Sequence, residues 1–313
     1  MQDSRSPDEK AKVPTGAVPP SHVFGRREET EPEPESPPPE VSYPPEAAPP
    51  PSEKPPAPPS RFVYGEMAGA VFWCWIPVFL AFFLPWHSWL PRQPVIGDLS
   101  LIHLVVAVII ALPPWIVLLM HLVRGRLADG ITDMLLWAIW ECLAMVFLCY
   151  FYPDRGRDVL WQASSYWEEM RTWLVTGVGT EGDPSKWILV HLRNLVILLV
   201  LAFPLGILAL VMGVLQLNFM NFYVAGCLRS SDNVLLALPV AWHFWSVVRV
   251  VGYIVLASTM FELFLKLFRA PARWRAIWGG FTWGIILIII DGLMKWQFAE
   301  SVRTALLVLC DIR

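Results

Sequence analysis

The chain reads as an all-α polytopic membrane protein: about six transmembrane helices and one or two interfacial amphipathic helices, preceded by a disordered proline-rich tail. Three observations predict this. Apolar segments of similar length follow one another across residues 68–298 with short polar breaks. Hydrophobic residues make up 55% of the 313 and charged residues only 16%. All 17 tryptophans lie after Arg61, whereas 18 of the 29 prolines lie in residues 1–60. That shift in composition divides the chain into a tail, residues 1–62, and a membrane domain, residues 63–313.

Residues 1–60 of the tail carry eleven acidic and six basic residues and are studded with proline, as in Glu31-Pro32-Glu33-Pro34-Glu35 and Pro49-Pro50-Pro51. Proline removes backbone donors and the carboxylates repel one another. Such a segment buries too little apolar surface to offset its ordering entropy. It is expected to be a semi-extended spacer with polyproline II character, able to reach a protein partner. It contains no apolar run of the kind a secretory signal requires, so none is expected. The Pro-x-x-Pro matches such as those at Pro34 and Pro56 are no more than a segment so rich in proline produces by chance.

Six spans are predicted, over residues 68–90, 101–123, 131–152, 195–217, 250–267 and 277–298, with a count of five to seven admissible. Each approaches the ~20 apolar residues that cross ~30 Å of hydrocarbon. Tryptophans near their ends, Trp73, Trp75, Trp86, Trp89, Trp187, Trp274, Trp278 and Trp296, form interfacial belts. Pro77, Pro113-Pro114 and Pro204 interrupt three spans, and a kink is expected where two prolines adjoin. Gly65-x-x-x-Gly69 and Gly280-x-x-x-Gly284 permit close helix packing within the molecule.

Two further helices are expected between spans. Over residues 158–175, Ala163, Tyr166, Trp167, Met170, Trp173 and Leu174 recur on one helical face, which predicts a helix lying flat in the interface. Residues 234–248 form either a similar helix or an extension of the fifth span.

Flanking Lys and Arg divide eight to nine between the two sides, so charge alone does not orient the chain. A cytoplasmic tail is expected, because moving it across without a signal is the harder step. The four positive charges of the loop 266–275 contradict that orientation if six spans are counted; one miscounted span removes the conflict.

Ionisable groups within hydrocarbon cost ~2.5–3.5 kcal/mol each on insertion scales, so they are paired or functional. The candidates are Glu141, Arg249, Asp291 and Glu262. An Arg249–Glu141 ion pair would remove both costs, and Asp291 and Lys295, spaced i, i+4, would pair with each other. Four histidines, His103, His121, His191 and His243, lie near the membrane as interfacial residues. The odd count of five cysteines, with no Cys-x-x-Cys, reads as buried thiols. No metal, haem or other cofactor is expected, nor nucleic-acid binding, since neither half of the chain is strongly basic.

Nucleophile-elbow, zincin and phosphate-loop patterns are all absent. The layout resembles that of multi-pass bacterial inner-membrane proteins, which implies that membrane as its location. The first functional expectation is a non-enzymatic scaffold or assembly subunit whose tail engages a partner. The second is a small-solute transporter or channel using Glu141, Arg249 and Asp291, and the third an enzyme acting on lipid at the 158–175 helix.

Overall fold

The computed structural model describes residues 75–90, 93–204, 206–268 and 274–312. The tail, its Pro-x-x-Pro matches, the Gly65/Gly69 pair and the start of the 68–90 span lie outside them. What is described is an all-α polytopic membrane protein with six helices long and apolar enough to cross a bilayer.

The described chain opens with α1 (Trp75–Phe83), and Pro85 then separates it from the single turn α2 (Trp86–Trp89). A two-stranded hairpin follows, β1 (Pro94–Ile96) against β2 (Leu99–Ser100). Ser100 caps α3 (Leu101–Val123): its hydroxyl accepts from the His103 backbone, and the His103 ring accepts from the Ser100 N–H. This reciprocal cap satisfies two donors that the first helical turn leaves open. Both Pro113 and Pro114 lie inside α3.

Next come α4 (Leu127–Phe151), the short α5 (Pro153–Val159), α6 (Ala163–Thr176) and α7 (Pro184–Ala202). Then follow α8 (Ile207–Arg229), α9 (Val234–Ala241), α10 (Phe244–Phe268) and α11 (Trp274–Leu309). The expected fourth span, 195–217, is corrected here: it is the junction of two spanning helices, α7 and α8. Pro204 and Gly206 turn the chain between them, with Gly206 at φ +73° and any Cβ there only 2.7 Å from the Phe261 ring. The sequence at this junction, Phe203-Pro204-Leu205-Gly206, contains no polar side chain, so apolarity runs unbroken through it.

The correction also reorders the two ends of the bundle. The C-terminal ends of α3, α7 and α10 and the N-terminal ends of α4, α8 and α11 gather at one end, called here the short-turn end. At the other, the crown, lie the hairpin, α5, α6, α9 and the last turns of α11. With 36 residues, α11 is about 54 Å long and outruns α10 toward the crown. There Asp311 donates its backbone N–H to the Ser230 carbonyl at 2.7 Å, and Arg303 reaches the Leu174 carbonyl at 2.8 Å.

The amphipathic helix expected over 158–175 forms as α6, but its apolar face is covered by protein. Trp173 and Met170 are fully enclosed, and the Trp167 ring lies where Gly226 of α8 presents no side chain. Two tryptophans on one face find a complementary groove here, which is a denser environment than headgroups. Residues 234–248 resolve into a separate helix, α9, followed by α10.

The closest helix pair is α10 with α11. Side chains added at Gly252, Gly280 or Gly284 would run into Ile288, Thr259 and Leu256 respectively. The Gly280/Gly284 spacing thus serves packing within the molecule. On α11, Ile277, Gly284, Asp291 and Lys295 form the inward stripe, while Ile286, Ile289, Ile290 and Leu293 face outward, as a helix facing lipid requires.

Candidate functional site

The antiparallel register fixed by those glycines brings the second turn of α10 beside the middle of α11. Arg249 there makes a two-armed ion pair with Asp291, Nε to Oδ2 at 2.9 Å and Nη2 to Oδ1 at 3.0 Å. The planar guanidinium fork matches a carboxylate in just this way. The expected Arg249–Glu141 pair is therefore corrected, and so is the Asp291–Lys295 pair. Although i, i+4 neighbours, the two α11 residues take separate partners from other elements.

The partner of Lys295 is Glu181, with Nζ 2.7 Å from Oε2. Glu181 lies in the connector between α6 and α7, flanked by Gly179 and Gly182. The Lys295 ammonium is wholly enclosed and also sits 4.9 Å from the centre of the Trp187 ring, an arrangement that favours a desolvated cation. Burial alone would raise the Glu181 carboxyl; the Lys295 ammonium, its hydrogen bond and the Arg249 charge together hold it below the usual carboxylate range.

One member of each pair, Glu181 and Arg249, stands at the crown end of a cavity of about 200 Å³ between α3, α4, α7, α8 and α10, while Asp291 and Lys295 are not part of its lining. Glu181, His191, Asn194, Arg249 and Tyr253 line that end. His191 leans on Trp187, ring centres 5.5 Å apart, and its buried Nδ1 has no hydrogen-bond partner among the described residues. Toward the short-turn end the lining becomes Leu118, Leu198, Leu210, Ile254 and Phe261, with Ser258 as a polar exception. Gly213 of α8 also lines the cavity, and a Cβ there would meet nothing within 4 Å.

Glu141, midway along α4, stands apart from this cluster. Buried, it accepts a 3.4 Å hydrogen bond from Asn221, whose own oxygen accepts from the Trp242 indole at 3.2 Å. Among the described residues no cation pairs with it. Glu262 pairs with Lys266 one turn on, at 3.4 Å, near the short-turn end. The structure therefore assembles Arg249 and Asp291 into one site and leaves Glu141 and Glu262 elsewhere.

Sequence reasoning missed Glu181 because a lone carboxylate in a polar loop gives no signal, and it set His191 aside as interfacial. It set His243 aside in the same way. His243 stands between α9 and α10 at φ 46°, stacked on Trp245 and 3.2 Å from the Tyr223 hydroxyl. Burial pushes this imidazole down to about 4, with the Lys295 and Arg249 charges acting in the same direction against Glu181. Another buried histidine, His121, meets Asp133 at 2.8 Å across the α3–α4 hairpin. The four cysteines in described residues, Cys142, Cys149, Cys227 and Cys310, are buried free thiols, and no group of metal-ligating residues occurs among the described residues.

Compared with protein-family models, with curated proteins and with solved structures, the chain matches none.

Proposed function

We propose that this membrane protein takes up a small amphiphile between its helices, as the binding step of a transport-type activity. The observation that carries this is the cavity itself, with ionised residues gathered at one end and an apolar lining along the rest. Binding cavities combine a mostly apolar wall with a few fixed polar groups, and charges kept inside a bilayer by default mark a functional site. An engineered apolar cavity of about 150 Å³ holds benzene, so this one is large enough for a short chain or ring. The scaffold reading from the sequence rested on an interior poor in polar groups; the four-residue ion-pair cluster favours the transporter reading over it.

The short-turn end faces the cytoplasm in this proposal. The short sequence stretch 266–275 on that side holds Lys266, Arg269, Arg273 and Arg275, a basic loop of the kind the positive-inside rule assigns to the cytoplasm. With α7 and α8 counted as two spans and the 68–90 stretch as a seventh crossing, the basic 266–275 loop and a cytoplasmic tail no longer conflict. The placing in a bacterial inner membrane and a protein partner for residues 1–62 remain proposals from sequence.

Native mass spectrometry of the protein released from nanodiscs tests the reading. A small amphiphile retained by wild type and lost in Gly213→Leu, which fills the cavity from an open position, supports it. Equal retention by both forms refutes it.

A further inference from the structure

The two ion pairs of the site differ in one respect that selects a ligand. Arg249 and Asp291 both stand on helices and hold each other through two hydrogen bonds. In the other pair, Lys295 comes from the middle of α11 with a side chain 0% exposed, while Glu181 comes from a connector and is 16% exposed. Only Glu181 of the two is accessible at all, and it stands on a connector outside the helices. Glu181 lines the crown end of the cavity and Lys295 does not, so a ligand head in the cavity reaches Lys295 only by displacing the Glu181 carboxylate.

Displacement has unequal consequences for the two partners. A cationic ligand that captured Glu181 would leave the Lys295 ammonium enclosed and uncompensated, which is strongly destabilising for a buried ion. An anionic ligand that captured Lys295 would release Glu181 toward water, where its charge is solvated at little cost. The exchange is thus open to anions alone. We infer that the ligand is a single-chain amphiphile with a carboxylate head, which takes the place of the Glu181 carboxylate on Lys295 while its chain runs down the apolar lining toward Phe261.

Two further groups fit such a head. The buried Nδ1 of His191 has no partner among the described residues and lies on the cavity wall, as does Tyr253. Glu181 acts here as a built-in stand-in for the ligand, keeping Lys295 neutralised while the cavity is empty. No bond is made or broken in the exchange.

This inference rests on the cavity being a ligand site, and the test separates the two. Binding of dodecanoate, dodecanol and dodecyltrimethylammonium is measured for the full chain in nanodiscs, against empty nanodiscs. The expectation is that dodecanoate binds at least tenfold tighter than either of the others. Glu181→Gln, which removes the internal competitor, is expected to tighten dodecanoate binding several-fold and to leave dodecanol unchanged. Lys295→Met, which leaves only the accessible Glu181 unpaired, is expected to abolish the preference for dodecanoate; should Glu181→Gln not fold because Lys295 is left uncompensated, this comparison decides. Equal binding of dodecanoate and dodecanol, a preference for the cation, or weaker dodecanoate binding by Glu181→Gln each overturns the inference while leaving the cavity a binding site. Failure of all three amphiphiles to bind removes the cavity reading itself.

Discussion

Arg249 on α10 and Asp291 on α11 clasp each other through both arms of the guanidinium, at 2.9 and 3.0 Å, inside a helix pair whose glycines leave no room for adjustment. Removing one partner of a buried ion pair costs roughly 3–5 kcal/mol, because the survivor stays buried and uncompensated. Asp291→Asn is therefore expected to lower the unfolding midpoint of the purified protein sharply. Arg249→Met with Asp291→Leu is expected to recover most of the loss. Glu141→Gln, by contrast, leaves an amide able to accept from Asn221 and is expected to change stability by less than about 1 kcal/mol. A severe defect from Glu141→Gln with a mild one from Asp291→Asn would contradict the observed pairing.

The same register depends on small residues at the α10–α11 contact. A side chain at Gly284 would overlap Leu256, and one at Gly280 would overlap Thr259. Gly284→Val is expected to be destabilised by at least the ~1–3 kcal/mol typical of overpacked cores. Gly279→Ala, one residue from Gly280 but with open space around it, is expected to be neutral or slightly stabilising. Chemical denaturation in mild detergent compares the two.

Much of the architecture is visible in the sequence because hydrocarbon imposes a length on every apolar run. The 101–123 span matches α3 residue for residue, since polar residues bracket it. The 195–217 span fails for the opposite reason. Its central turn is as apolar as the helices it joins, while Lys186, His191, Arg193 and Asn194 dilute the first half of α7. The site was partly legible: Arg249 and Asp291 stand out as charges within apolar stretches. Their pairing was hidden, because choosing Asp291 over Glu141 requires the α10–α11 register. Glu181 was invisible for want of any pattern around it.

Acid is expected to weaken the protein through His243. Its imidazole is held neutral by burial, with a folded-state value of about 4 against an ordinary 6.5. Between those values the unfolded chain binds the proton and the folded one does not, so stability falls as pH drops from about 6.5 to 4. The slope contributed is at most about 1.4 kcal/mol per pH unit. His243→Asn, whose side chain tolerates the positive φ, is expected to flatten that part of the stability profile. An unchanged slope in this variant would show that His243 is not the titrating group.

Sidedness is checked by single cysteines in a background where the native thiols are replaced. Arg273→Cys in the short link is expected to react with a membrane-impermeant maleimide only after the cytoplasmic face is opened. Leu235→Cys on α9, exposed at the crown, is expected to react in intact cells. The reverse pattern would invert the proposed orientation.

The most direct measurement is photo-crosslinking with a dodecanoate analogue that bears a diazirine at the end of its chain. Crosslinks are expected at cavity residues such as Leu210 and Phe261, and they should disappear in Gly213→Leu. Labelling confined to outward residues such as Leu192 and Val200, and indifferent to Gly213→Leu, would contradict the account.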